Sequence, residues 1–244
     1  MQILSTLIVA ASILSSMSGN ALAEKTANQI LESYVADFRQ DPVAASPITF
    51  GIRVDGGDGG DWHVLVKGKN KNGSEGYDVT LRDGFPESPC VYYTVDLPTL
   101  RALDAGKLNA LTAMAKAFST DKSPMDIEAT DGFAPPHPDF FTKEFIPFTF
   151  HFWTRGIPEV VPFGSDLTRK THGAHASILY YEKGLRSAWG QIRKGDHVNA
   201  DPRMQTNPFP SIVIVINGKC DAKLAGKQVT LEAGQMVFIP AEMA

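Results

Sequence analysis

The sequence predicts two folded units in a chain of 244 residues. An α+β sheet-and-helix domain is expected over residues 24–131. An all-β barrel is expected over residues 140–244, with 132–139 as connector. Three observations predict this division. Helical spacing of apolar residues is confined to the first half. Short β-like runs joined by turn signals fill the rest of that half. From Leu167 onward only short strands and Gly-centred turns recur, with no helical period, which implies a barrel or sandwich.

The elements follow in order. Ala27 to Phe38 carries Ile30, Leu31, Tyr34, Val35 and Phe38 at helical spacing. Pro47–Val54, Trp62–Lys67, Gly76–Leu81 and Cys90–Val95 read as strands of a small sheet with hairpin connections. Helix returns at Asp96-Leu-Pro98: Asp96 suits the cap, and Pro98 fits the first turn because its missing N–H would be unpaired anyway. Gly106 is expected to break this stretch into two helices. Pro124–Ala129 reads as a last short strand. Residues 132–166 are rich in Phe and Pro, including Phe145, Phe148 and Phe152. That composition is unlike a flexible linker. It predicts a packed connector, or the first strands of the second unit. The later strands are Ala176–Tyr181, Ala188–Ile192, Ser211–Ile216, Cys220–Leu224, Gln228–Leu231 and Met236–Ile239, with turn signals at Asn217-Gly218, Ala225-Gly226 and Ala233-Gly234.

Composition bounds the function. Hydrophobic residues make up 43% and charged residues 20%, so the chain can bury a core without metal or disulfide staples. The net charge of −4 excludes a general nucleic-acid binder, which needs a positive field to displace phosphate counterions. The one basic cluster, Lys67, Lys69 and Lys71, lies in an Asn/Gly-rich segment and reads as a solvated loop. Residues 1–23 read as a signal peptide: an uncharged apolar run ends in Ala21-Leu22-Ala23 before Glu24, although no positive n-region precedes it. The expected location is therefore periplasmic or secreted. No later segment is long and apolar enough to span a bilayer. Export permits a disulfide between Cys90 and Cys220, but their placement in different units favours two separate thiols.

Two resemblances add to this reading. Residues from about 28 to 130 resemble the sterol-carrier-protein-2 domain in their order of elements: the first helix, Phe50-Gly-Ile-Arg-Val54, Trp62-His-Val-Leu-Val66, Gly76-Tyr-Asp-Val79, then Tyr93 to Leu108 ending in Gly-Lys-Leu. The resemblance implies a sheet-and-helix shell around an apolar tunnel for a lipid chain or sterol, with no fixed catalytic residues. Leu100, Leu103, Leu108, Leu111, Met114 and Phe118 are the expected tunnel lining, and the flexible thioether of Met114 suits that role. Residues from about 140 to 244 resemble a cupin in Ile214-Val-Ile-Asn-Gly218, Leu224-Ala-Gly226 and Leu231-Glu-Ala-Gly234-Gln-Met-Val-Phe-Ile-Pro240. That resemblance implies a small double-sheet barrel, a homodimer through this half, and often a metal at the barrel mouth. Gln205, Asn207 and Pro210 stand where the family's His, His and Glu would fall, and the second motif stops at Ala244 before its His. No metal or other cofactor is therefore expected, and the barrel is expected to be truncated at its C-terminus.

The remaining motifs have plain readings. Gly56 to Asp61 matches a Ca²⁺-binding nonapeptide over six residues, but a single copy between strands reads as a hairpin loop. His172, His175 and His197 are the candidate metal ligands, with Glu182, Asp196 or Asp201 as a third donor. A strand places i and i+3 on opposite faces, so His172 and His175 would have to converge from a loop. No Gly-x-Ser-x-Gly and no P-loop occurs. The expectation is an exported, non-enzymatic protein that binds an apolar ligand in its first domain, beside a metal-free cupin-like half. The alternative is a metal-dependent cupin enzyme of dioxygenase or isomerase type, acting on a hydrophobic substrate presented by the first domain.

Overall fold

A computed structural model describes residues 24–70, 75–116, 120–155, 160, 162–182 and 185–244. The signal-peptide reading of residues 1–23 lies outside them. The N-terminal unit begins with helix α1, Ala27–Phe38. Thr26 caps it: its hydroxyl accepts from the Gln29 N–H at 3.2 Å, and the Gln29 side chain accepts from the Thr26 N–H at 2.9 Å. This reciprocal pair satisfies two N–H groups that a helix start otherwise leaves bare. Ala27, Ile30, Leu31, Tyr34, Val35 and Phe38 form one buried face.

Five strands follow: β1 Ile48–Asp55, β2 Gly60–Lys69, β3 Tyr77–Asp83, β4 Val91–Asp96 and β5 Met125–Ala129. Their order in the sheet is β3-β2-β1-β4-β5, with β1 and β4 parallel and the other neighbours antiparallel. Alternation sends Phe50, Ile52, Val54, Trp62, Val64, Val79, Tyr93 and Val95 to one face, where they join the core. Gly51 lies on the other face, and a Cβ there would come within 2.7 Å of Tyr92 Cβ. Between β4 and β5 lie α2, Leu97–Asp104, and α3, Ala110–Ala113. Asp96 caps α2 by accepting from the Thr99 N–H at 2.7 Å, and Asn109 does the same for α3 at Thr112. Gly106 takes φ +64° between the two helices, in the left-handed region that glycine enters without strain.

Of the two alternatives expected for the Phe-rich segment, it forms a packed connector, and it is helical rather than stranded. A wide π turn over Phe141–Phe145 leads into α4, Ile146–Trp153. The spacing of Phe145, Phe148, Phe152 and Trp153 puts all four on one face, buried in the same core as α1 and the sheet. Phe140 and Phe141 are half-buried against that core.

The C-terminal strands are β6 Arg169–Thr171, β7 Ala174–Glu182, β8 Leu185–Gln191, β9 Ser211–Ile214, β10 Lys219–Leu224, β11 Lys227–Glu232 and β12 Met236–Ile239. They form a three-stranded sheet β6-β7-β8 and two separate pairs, β9 with β12 and β10 with β11. None of these sheets closes, so the expected barrel is replaced by a mixed α+β architecture of several sheets. The register pairs Ile212 with Phe238 and Ile214 with Met236, placing four apolar side chains on one face of the β9/β12 ribbon. They are 57–63% exposed, so no second layer of described residues covers that face.

This contrast predicts unequal stability effects. Phe152 is fully buried and Phe238 is 58% exposed. Phe152→Ala should cost about 3–5 kcal/mol in denaturant unfolding, and Phe238→Ala within about 0.5 kcal/mol. Equal losses would contradict the assigned core.

Candidate functional site

The candidate site is the apolar interior between α1, α2, α4 and the five-stranded sheet. Its walls are Ile30, Leu31, Tyr34 and Phe38 from α1, Leu100 and Leu103 from α2, and Phe50, Ile52 and Tyr93 from the sheet. Aromatic rings from α4 fill the centre. Phe152 packs against Tyr34, Phe38 and Phe50 at ring distances of 5.6, 5.6 and 5.3 Å. Phe148 meets Phe38 edge-on at 5.6 Å, and Phe145 stacks on Tyr93 at 5.7 Å. Trp153 contacts Tyr34 and Tyr93 at 5.6 and 5.4 Å. Edge-to-face and offset pairs of this kind suit the ring quadrupoles.

Polar groups in this interior are few. The Tyr93 hydroxyl and the Thr149 hydroxyl share a buried hydrogen bond of 2.5 Å, and Thr149 also donates to the Phe145 carbonyl at 2.7 Å. Burial pushes the Tyr93 phenol pKa up, because the phenolate would lose its water. The Trp153 indole N–H is buried with no acceptor among the described residues.

The charged groups of α4 lie at its C-terminal end. His151 Nδ1 lies 3.0 Å from the buried carboxylate of Asp41. Arg155 follows in a left-handed conformation, φ +60°. Its guanidinium lies 4.0 Å over the Tyr34 ring and pairs with Asp37 at 3.0 Å and Asp104 at 2.5 Å. Burial works against the charge on Arg155, but Tyr34 and Asp104 outweigh it and its pKa is raised.

The lining expected from the sequence is only partly gathered here. Leu100 and Leu103 are buried in this core, and Leu108 and Met114 are half-buried against it. Leu111 is buried on α3, the short helix that packs against β7. There the Asn109 amide donates to the Ile178 carbonyl at 2.8 Å, and the Thr112 hydroxyl accepts from the Ile178 N–H at 2.9 Å. Phe118 lies outside the described residues. Phe145, Phe148, Phe152, Trp153 and Arg155 were not among the expected site residues. The i, i+3, i+7 spacing of Phe145, Phe148 and Phe152, with Pro147 in the first turn, was the available signal.

A cleft of about 360 Å³ lies at the 53–61 hairpin and is bordered by Arg53, Asp55 and Asp61. It is a turn of glycines and carboxylates rather than an apolar tunnel. Asp61 there holds Arg53 at 2.8 and 3.0 Å, and Asp58 in the same turn accepts from the Ala27 N–H at 2.9 Å. The loop carrying His197 packs against the turn carrying His172, where the Asn199 N–H donates to the His172 carbonyl at 3.0 Å. His172 sits in the two-residue turn between β6 and β7 with φ +52°, His175 lies on β7, and His197 is exposed. Among the described residues no three His, Cys, Asp or Glu side chains come together to hold a metal. Cys90 and Cys220 are free thiols. No helix among the described residues is long and apolar enough to cross a membrane.

The sheet's outer face carries a different network. Arg53 lies over Phe85 and Tyr92 at 4.9 and 5.2 Å, and the Tyr92 hydroxyl donates to Glu128 at 2.6 Å. Compared with family models, with curated proteins and with solved structures, the chain matches none.

The Tyr92 contact gives a direct titration test. The Glu128 carboxylate stabilises the neutral phenol through their hydrogen bond and, with desolvation, pushes its pKa up to about 12. Ultraviolet difference titration of Glu128→Ala should move this phenol back toward ~10. An unchanged curve would show that the bond does not form.

Proposed function

We propose that the protein binds a lipid or other apolar ligand and catalyses no reaction, with the ligand held between the five-stranded sheet and the helices of the N-terminal unit. One observation carries this reading: the interior is lined by aliphatic and aromatic side chains from every surrounding element, with the Tyr93–Thr149 pair as its main polar feature. Such a lining recognises a ligand by removing apolar surface from water, at roughly 25 cal/mol per Å² before entropic costs. Among the described residues it presents no group of three His, Cys, Asp or Glu side chains that could hold a metal. The order of the first helix, the sheet and the Asp96-capped helix supports a sterol-carrier-like reading of this unit. The C-terminal sheets, joined to the first unit through Asn109 and Thr112, form a metal-free appendage in this proposal.

Delipidated protein should bind 11-dansylaminoundecanoic acid saturably and lose it to palmitate. A ligand at 100 times its Kd should add about 2.7 kcal/mol to stability, read as a rise in Tm. Absence of both a saturable signal and a Tm shift, with no lipid found by mass spectrometry of the purified protein, would sink the proposal.

A further inference from the structure

We propose that α4 is a displaceable internal occupant of the apolar site: a single-chain lipid enters by taking the place of Phe148, Phe152 and Trp153 against α1 and the sheet, and Arg155 and His151 form the latch that holds the helix in. This rests on the apolar-ligand reading and adds where the ligand lies and what controls its entry.

α4 is attached by an apolar face and a few polar contacts. Its aromatic face contributes contacts without direction, which another apolar body of similar size can replace. Two Phe and one Trp side chain cover roughly 450–750 Å² of apolar lining, at ~150–250 Å² each. That is the scale of one long single-chain lipid. The directional contacts of α4 with the body are few and grouped. Thr149 bonds Tyr93, and the rest lie at the C-terminal end, where His151 pairs with Asp41 and Arg155 reaches Ser33, Asp37 and Asp104. Removing that end's contacts leaves the Tyr93–Thr149 bond as the directional hold on the helix.

One further feature favours exchange. The Trp153 indole N–H is buried without an acceptor. A buried donor with no partner is costly, and that cost ends when α4 swings into water. The structure thus combines an interior suited to an apolar guest with a helix seated by one charged end.

The latch sets the affinity. Apparent binding is reduced by the fraction of molecules in the competent, open state, so weakening the latch raises that fraction and tightens binding. Arg155→Ala should bind 11-dansylaminoundecanoic acid about tenfold more tightly than the unaltered full chain. In a Trp62→Phe, Trp189→Phe background, Trp153 is the remaining tryptophan. Palmitate should red-shift its emission as the indole leaves the core, in proportion to saturation. Where Arg155→Ala lacks a cooperative thermal transition, His151→Leu serves for the same comparison, because that side chain is half exposed. If neither variant folds, the Trp153 shift in the Arg155-containing background decides alone. Equal probe affinity in the latch variant and the unaltered chain, or saturation by palmitate with Trp153 emission unmoved, would overturn the latch and place the ligand elsewhere while leaving apolar-ligand binding intact. No saturable binding in any form would remove both proposals together.

Discussion

The N-terminal unit depends on the burial of one aromatic helix face against a sheet and a second helix. The sheet presents a continuous apolar face across β1 to β5, and α1 with α2 covers only part of it. Tyr34, Phe38, Phe50 and Tyr93 are large, widely spaced rings whose gaps must be filled to reach the density of a protein interior. Phe145, Phe148, Phe152 and Trp153 fill them, each ring touching others at 5–6 Å. Because aromatic pairs act through area and quadrupole rather than fixed bonds, the same packing that completes the core defines an interior suited to apolar ligands.

Charged and polar groups organise the frame around that interior. Thr26, Asp96 and Asn109 each close a helix start. Asp58 reaches from the Gly-rich turn to the first N–H of α1, so the acidic loop that resembles a cation site in sequence serves as a tie between sheet and helix. Arg155 does the same for α4, bridging α1 and α2 from a left-handed backbone position. The C-terminal half attaches differently: α3 satisfies both backbone groups of Ile178, at an irregular point in β7, and Arg169 donates to the Ala113 and Ala115 carbonyls at the end of α3. Helix ends, with their unpaired backbone groups, thus supply the fixed points of both connections.

The β9/β12 ribbon shows the opposite condition. Ile212, Ile214, Met236 and Phe238 share a face and stay exposed, although both strands are almost continuously apolar. A two-stranded ribbon is too small to bury its own apolar face.

By itself the sequence determined what short-range physics controls. The period of Ile30 to Phe38, the Asp96-Leu-Pro98 start, the alternation in β1 to β5 and the glycine turns at 218, 226 and 234 are all expressed within a few residues, and each element stands where those patterns place it. Leu100 and Leu103 were legible as buried for the same reason. What tertiary structure decided is what those elements meet. The helical state of Phe145 to Trp153 was masked by flanking prolines, and only its docking on Tyr34, Phe38 and Tyr93 selects it. The open sheets of the C-terminal half and the binding of Asp58 to α1 are equally non-local. Side-chain convergence depends on how distant segments pack, and local spacing carries no term for that.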